Sequence, residues 1–367
     1  MDFAEQLRIL QGARNNPALL ALAMVDLAHH ALPAAERARV KDALLAAAMP
    51  HWCDPDYLAT LLETTPEEGH RLLSHLRALT VVEPFRARGE HAVNVHEATR
   101  LALRDHLRTT DVVRWKALSN CALAHVSQGT QTHTRIEALY HLFAIDQDTA
   151  ATACEALDRE FTSAVGPQAR HALFIALEEL IAAGWLTGAA KVEALLAALE
   201  YRNSRVEVAS LEPHARKVVA LAQRASHPSG IARAHSLLGD VLRHKGRSTE
   251  ALKAYENSRA IMERLVKTDP SNAGWQRDLA VAHSRVGNIA ETRGRSTAAL
   301  KAYENLRDIM ERLVKTDPSN AGWQRELAVA HSRVGGIAET RGRCTAALKA
   351  YENSRDIMER LVKTDPS

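Results

Sequence analysis

An internal repeat restricts what this chain can fold into more than any other property of its sequence. Residues 248–295 read STEALKAYENSRAIMERLVKTDPSNAGWQRDLAVAHSRVGNIAETRGR, and residues 296–343 repeat them with five changes in 48, at 298, 306, 308, 326 and 336. A third copy starts at Cys344 and stops halfway, at Ser367, and GIARAHSLLGDVLRHKGR at 230–247 is a diverged version of the missing first half. Each unit predicts two helices. The first runs roughly from Ala273 to Thr292, with Leu279, Ala282, Val286 and Ile289 or Ala290 on one face at helical spacing. Gly294 stops it between Arg293 and Arg295, cations suited to a helix C-terminus. Ser296 or Thr297 is expected to cap the second helix, which buries Leu300, Tyr303, Ile309 and Leu313 and ends at Asp317-Pro318. Neither helix can bury its apolar face alone, so the copies must stack, with Tyr303, Met310 and Trp323 as packing residues.

These units resemble tetratricopeptide repeats. Gly287, Ala299 and Tyr303 carry the family's spacing, as do Gly239, Ala251 and Tyr255 before them and Gly335, Ala347 and Tyr351 after them. The period of 48 implies helices longer than the family's usual ones, and His283 and His331 replace its Trp. The resemblance implies a right-handed α-solenoid whose concave surface, lined by the first helix of each pair, takes a protein or peptide. Its groove positions fall on Arg233, Ser236, Asp240, Arg243 and His244, then on Val281, Ser284, Asn288, Glu291 and Thr292, then on Val329, Ser332, Gly336, Glu339 and Thr340. Ser284 and Ser332 stand where the carboxylate clamp of chaperone-binding members carries Lys, so chaperone tails are disfavoured ligands. The array stops after Val362 without a polar capping helix, which leaves an apolar face for a partner, for self-association or for residues beyond this sequence.

The first half reads differently. Helical segments near 3–12, 17–31 and 34–48 are followed by two short helices, DPDYLATLLE and TPEEGHRLLSHLRAL. TVVEPF and HAVNVH then form two short strands around an Arg-Gly turn, and a helix starts at Glu97. Helix, helix, hairpin and helix is the plan of a winged-helix domain. DNA binding is the tempting reading, and the charges oppose it. Residues 50–110 hold seven Arg, no Lys and nine acidic residues, and the helix offering His70, Arg71, His75 and Arg77 opens with Glu67 and Glu68. The segment VHEATRLAL at 95–103 resembles the hydrophobic-His-Asp motif that ends the winged helix of STAND-type nucleotide-switch ATPases, with His96 matching the His and Glu97 replacing the Asp. That resemblance implies a switch role for His96 and Glu97, although no GxxxxGK[ST] loop occurs. The alternative is a His96 packed at a strand-to-helix junction.

Residues 113–228 read as degenerate helical repeats, with IEALYHLFAID at 136–146 in the core. The expected organisation is therefore a helical segment at 1–49, a winged-helix-like domain at 50–112, degenerate repeats at 113–228 and the array at 229–367. The fold class is mainly α, a solenoid preceded by a winged helix with a small β-hairpin. Composition agrees, since aromatics are 4% and the apolar residues are chiefly Ala and Leu. A net charge of +3 gives no pull toward nucleic acid or membrane. Cys53, Cys121, Cys154 and Cys344 show no metal or redox spacing and read as reduced, mostly buried thiols of a cytoplasmic protein.

No catalytic, cofactor or metal site emerges. His96-Glu97 starts H-E-x-x-H, but Arg100 occupies the second His position, and His51 near Cys53 is a chance pairing. The expected function is non-catalytic: a protein-interaction scaffold, or a sensor or regulatory subunit of a bacterial signalling or defence system. The alternatives are a winged-helix transcriptional regulator with a sensor array, and a regulator or substrate of a caspase-like protease.

Overall fold

The computed structural model describes residues 3–205 and 210–364. Its helices are α1 Phe3–Gly12, α2 Pro17–Ala28, α3 Ala34–Ala47, α4 Pro55–Leu61 and α5 Pro66–Leu76. Strands β1 Val82–Pro84 and β2 Val93–Val95 follow, then α6 Glu97–Thr110, α7 Val112–Val126, α8 Thr132–Ile145 and α9 Gln147–Glu160. A π-helical turn at Phe161–Val165 leads into α10 Pro167–Ala183, α11 Gly188–Ser204 and α12 Leu211–Arg224. The array comprises α13 Pro228–His244, α14 Ser248–Thr268, α15 Ala273–Thr292, α16 Ser296–Thr316, α17 Ala321–Thr340 and α18 Cys344–Thr364. The protein is mainly α, with one small antiparallel sheet among the described residues. The chain divides into two compact units: Met1–Ala153 with Ile175–Leu186, and Cys154–Phe174 with Thr187–Ser367.

In the first unit, Asn16, Asp54 and Thr65 cap α2, α4 and α5 through their side-chain oxygens, each followed by a proline at the first helical position. The hairpin is shorter than the apolar runs suggest. Val82 pairs with Val95, Glu83 with Asn94 and Pro84 with Val93, and Cys53 and Val93 exchange two backbone hydrogen bonds of 2.8 Å. The core joins Tyr57, Leu58, Leu73 and Leu76 to Val93, Leu103 and Leu118. Most of the 136–146 segment is buried as expected, with Asp146 exposed at its end, and it carries Glu137 and His141 into the interior with it.

In the second unit the repeat explains itself locally. Asn272 and Asn320 accept from the backbone N–H of Trp275 and Trp323, both at 3.0 Å, and so cap α15 and α17. Gly294, at φ +68, closes α15: its N–H donates to Glu291 O, and that of Arg295 donates to Ala290 O. That pair of bonds is the Schellman arrangement. The expected cap at Ser296 or Thr297 is not found. The turn out of α15 runs straight into α16, so Arg295 holds the capping position and no side chain caps the helix. Tyr303 and Met310 are fully buried, and Trp323 packs partly buried against the same core. A Cβ on Gly287 would lie 2.6 Å from the Tyr303 ring, so the ring packs there only because position 287 carries no side chain. Cys53 and Cys154 are buried, whereas Cys121 is half-buried and Cys344 exposed.

Candidate protein-interaction groove

Three adjoining cavities follow one face of α13, α15 and α17 within the second unit. The first, of about 270 Å³, lies against Arg233, Ser236 and Asp240. The second, of about 720 Å³, lies against Arg243, Asn288 and Glu291. The third, of about 520 Å³, is walled by Val281, Ser284 and Val329. Arg285 borders all three, which places them side by side on this face.

The expected groove residues divide into buried and presented groups. Arg233 and Ser236 are buried. The Arg233 guanidinium donates to Glu193 and, at 3.2 Å, to Glu200, with Glu155 3.7 Å away, so its charge is spent holding α9, α11 and α13 together. Asp240 is half-buried and accepts from Arg285 at 2.6 and 3.0 Å. Ser284, Asn288 and Gly336 are half-buried, whereas Arg243, His244, Glu291, Ser332 and Glu339 are exposed. Val329 is 50% exposed, an apolar side chain presented to solvent on this face.

Residues outside that set complete the face. Arg277 donates to Glu326 at 2.5 and 3.0 Å, joining α15 to α17. Arg333 lies 3.7 Å from Glu291 and over the Tyr303 ring at 5.9 Å. The Tyr303 hydroxyl donates toward Glu291 Oε2 at 2.6 Å, with Asn288 Oδ1 at 2.8 Å. Burial and that nearby carboxylate raise its pKa. One signal was available for these positions: Arg277 and Arg285 recur 48 residues later as Arg325 and Arg333. The resulting surface alternates guanidinium, carboxylate, small polar and valine side chains. It offers donors, acceptors and apolar steps to a polypeptide. Among the described residues no group of three His, Cys, Asp or Glu side chains could hold a metal ion.

In the first unit, His96 and Glu97 lie at the start of α6, both exposed. The packed alternative for His96 is therefore wrong. β2 ends at Val95 and turns the next side chain outward, where it makes no capping bond. α6 buries Arg100 and Arg104 beside Leu103 and Leu107, two cations that no sequence motif marks. Arg100 grips Glu179 through two bonds of 2.6 and 3.0 Å, and Arg104 donates to the same carboxylate at 2.6 Å. His51 does not pair with Cys53. Its Nδ1 is 2.6 Å from Glu137, which also accepts from His141 at 3.1 Å. Burial alone would raise the Glu137 pKa, but His51 and His141 together hold it well below the usual range. Within α5, Arg71 is bound to Glu68 at 2.7 Å and to Glu36 at 3.0 Å, so two carboxylates neutralise it locally. No described helix is long and apolar enough to cross a membrane.

Residues 230–304 match the tetratricopeptide repeat family model. No curated protein matches the chain. Solved structures similar to it include BtubC from P. vanneervenii, with 10% identity over 69% of this chain and 92% of that one, at a TM-score of 0.44. A Rap protein complexed with competence and sporulation factor shares 12% identity over 98% of this chain and 97% of that one, at 0.37. A STAND protein with a tetratricopeptide repeat sensor, from Pyrococcus horikoshii, shares 10% identity over 97% of this chain and 66% of that one, at 0.30. The assignment of the array rests on its own repeat and on the family match.

Proposed function

From a tetratricopeptide array whose first helices present one face, we propose that this protein is a non-catalytic interaction scaffold or sensor subunit, taking a protein or peptide segment along α13, α15 and α17. The carrying observation is the set of three cavities side by side at Arg285, with Val281 and Val329 set between paired charges. An extended segment can place apolar side chains against the valines and its backbone and polar groups against Ser284, Asn288 and Glu291. Recognition of this kind needs no exposed single-sign field.

A sensor role within a bacterial signalling or defence system is the more specific form of this reading. The order α4, α5, β1, β2 and α6 supports a winged-helix-like domain at 50–112, and the exposed His96 and Glu97 leave the start of α6 open to a second protein. Self-association is a further form. Leu348 and Val362 of α18 are 59% and 63% exposed, whereas Leu300 at the equivalent place in α16 is buried.

Native affinity purification of the full chain from its host tests the proposal. A stoichiometric protein that is lost with the double variant Val281→Asp/Val329→Asp supports the groove. A protein retained by that variant and lost with His96→Ala/Glu97→Ala moves the contact to the first unit. Nuclease-sensitive material in place of protein overturns the reading in favour of DNA binding.

A further inference from the structure

Two junctions along the array, between α13 and α15 and between α15 and α17, repeat the same polar side chains with one change of charge. Arg285 recurs as Arg333, Tyr255 as Tyr303 and Ser236 as Ser284, each 48 residues on, but Asp240 is answered by Asn288. At the first junction the charge is matched. Arg285 donates to Asp240 through bonds of 2.6 and 3.0 Å and to the Ser236 hydroxyl, and it lies over the Tyr255 ring at 5.9 Å. The Tyr255 hydroxyl donates to the same carboxylate at 2.8 Å.

At the second junction the ring contact persists and the tight ion pair does not. Arg333 lies over the Tyr303 ring, again at 5.9 Å. An amide in place of a carboxylate removes the negative charge and trades an acceptor for N–H donors. Among the described residues the carboxylate nearest Arg333 is that of Glu291, at 3.7 Å, which is beyond hydrogen-bond distance. Both side chains are nearly half-exposed, at 46% and 41%. They line the cavity of about 720 Å³ together with Arg243, an exposed cation whose guanidinium lies 3.2 Å from the His244 ring. Three guanidinium groups thus meet two carboxylates there, and the charge of Asp240 is already matched by Arg285. Arg243 and Arg333 share what remains, the single carboxylate of Glu291, which also accepts from the Tyr303 hydroxyl at 2.6 Å.

We propose that this cavity receives an aspartate or glutamate side chain of the bound polypeptide, whose carboxylate takes the place at Arg333 that Asp240 takes at Arg285. The proposal rests on the peptide-binding reading of the α13, α15 and α17 face and names the chemistry of the segment bound there. The planar fork of Arg333 suits two carboxylate oxygens at once, and Arg243 supplies a second cation. Because Arg333 has no short ion pair to surrender, the incoming carboxylate displaces water alone. Position 288 sets this preference: a carboxylate there would occupy Arg333 from within.

Peptides selected from a random library on the full chain test this, with affinities then measured by fluorescence anisotropy. An acidic residue is expected at one position of the selected motif. Replacing it by its amide should weaken binding about tenfold, the size of one charge-assisted contact. On Arg333→Gln the same replacement should change affinity by less than about twofold, because the contact is already gone. Asn288→Asp, which rebuilds the carboxylate seen at Asp240, should weaken the acidic peptide about tenfold and leave its amide form within about twofold. Circular dichroism and Tm of both variants should match the unsubstituted chain, since positions 288 and 333 are not buried. A selected motif without an acidic residue overturns the proposal, as does an acidic residue whose contribution is unchanged in Arg333→Gln and Asn288→Asp. In either case the peptide-binding reading stands if the selected peptides are lost with Val281→Asp/Val329→Asp. If no peptide is selected, or the peptides bind that variant equally, both the proposal and the reading fall.

Discussion

Arg104 shows how single residues hold this protein together and why they are hard to read from sequence. Its guanidinium reaches the carbonyl ends of α3, the Tyr140 hydroxyl and Glu179, all inside the first unit. A cation placed on the last carbonyls of a helix also meets the negative end of its dipole. Removing one member of a buried charge network leaves the others unpaired, so Arg104→Met should cost about 3–5 kcal/mol in urea unfolding. A loss under about 1 kcal/mol would mean that water replaces the guanidinium. His283 makes a second residue-scale prediction. Burial, with Arg259 nearby, lowers its pKa from 6.5 to about 4. The unfolded chain therefore takes up the proton first, and stability present above pH 6.5 is lost as pH falls toward 4. Relative to His283→Gln, the unsubstituted protein should lose on the order of 2 kcal/mol between pH 7 and pH 4.5. A difference that does not change with pH contradicts this assignment.

Helices and turns were largely legible in the sequence, because their signals are local. Ala273–Thr292 ends where Gly294 permits a positive φ, and Asp317-Pro318 terminates α16. The missed cap at Ser296 has an equally local cause: two helices share one turn, and Arg295 fills the capping place. The buried pairs of α6 lay outside that kind of reasoning. Arg100 and Glu179 are 79 residues apart, with no period or motif linking them. In the array, glycine offers a test of sign. Alanine is the better helix former by about 1 kcal/mol, and at Gly336, where the nearest atom to a new Cβ is 3.6 Å away, Gly336→Ala should stabilise by about 0.5–1 kcal/mol. At Gly287 the buried Tyr303 ring stands 2.6 Å from that Cβ, and Gly287→Ala should destabilise by about 1–3 kcal/mol. Paired denaturation curves check both, and equal signs would refute the packing account.

For the molecule, the repeat fixed which helices present a face, since α13, α15 and α17 are its first helices. The resemblance supplied candidate positions on that face but not their state. Arg233 and Asp240 engage in ion pairs within the second unit, and only the folded arrangement separates them from the exposed Glu291 and Ser332. Two residues that border more than one of its cavities, Arg285 and Arg277, stand one position beside the expected Ser284 or outside the expected set altogether. The proposed function requires that polypeptides bind along this face. Selecting a random peptide library on the full chain, then on the Val281→Asp/Val329→Asp variant, tests it most directly. The account predicts a common motif that binds the unsubstituted chain and fails on the variant at unchanged Tm. Selected peptides that bind both chains equally would contradict it.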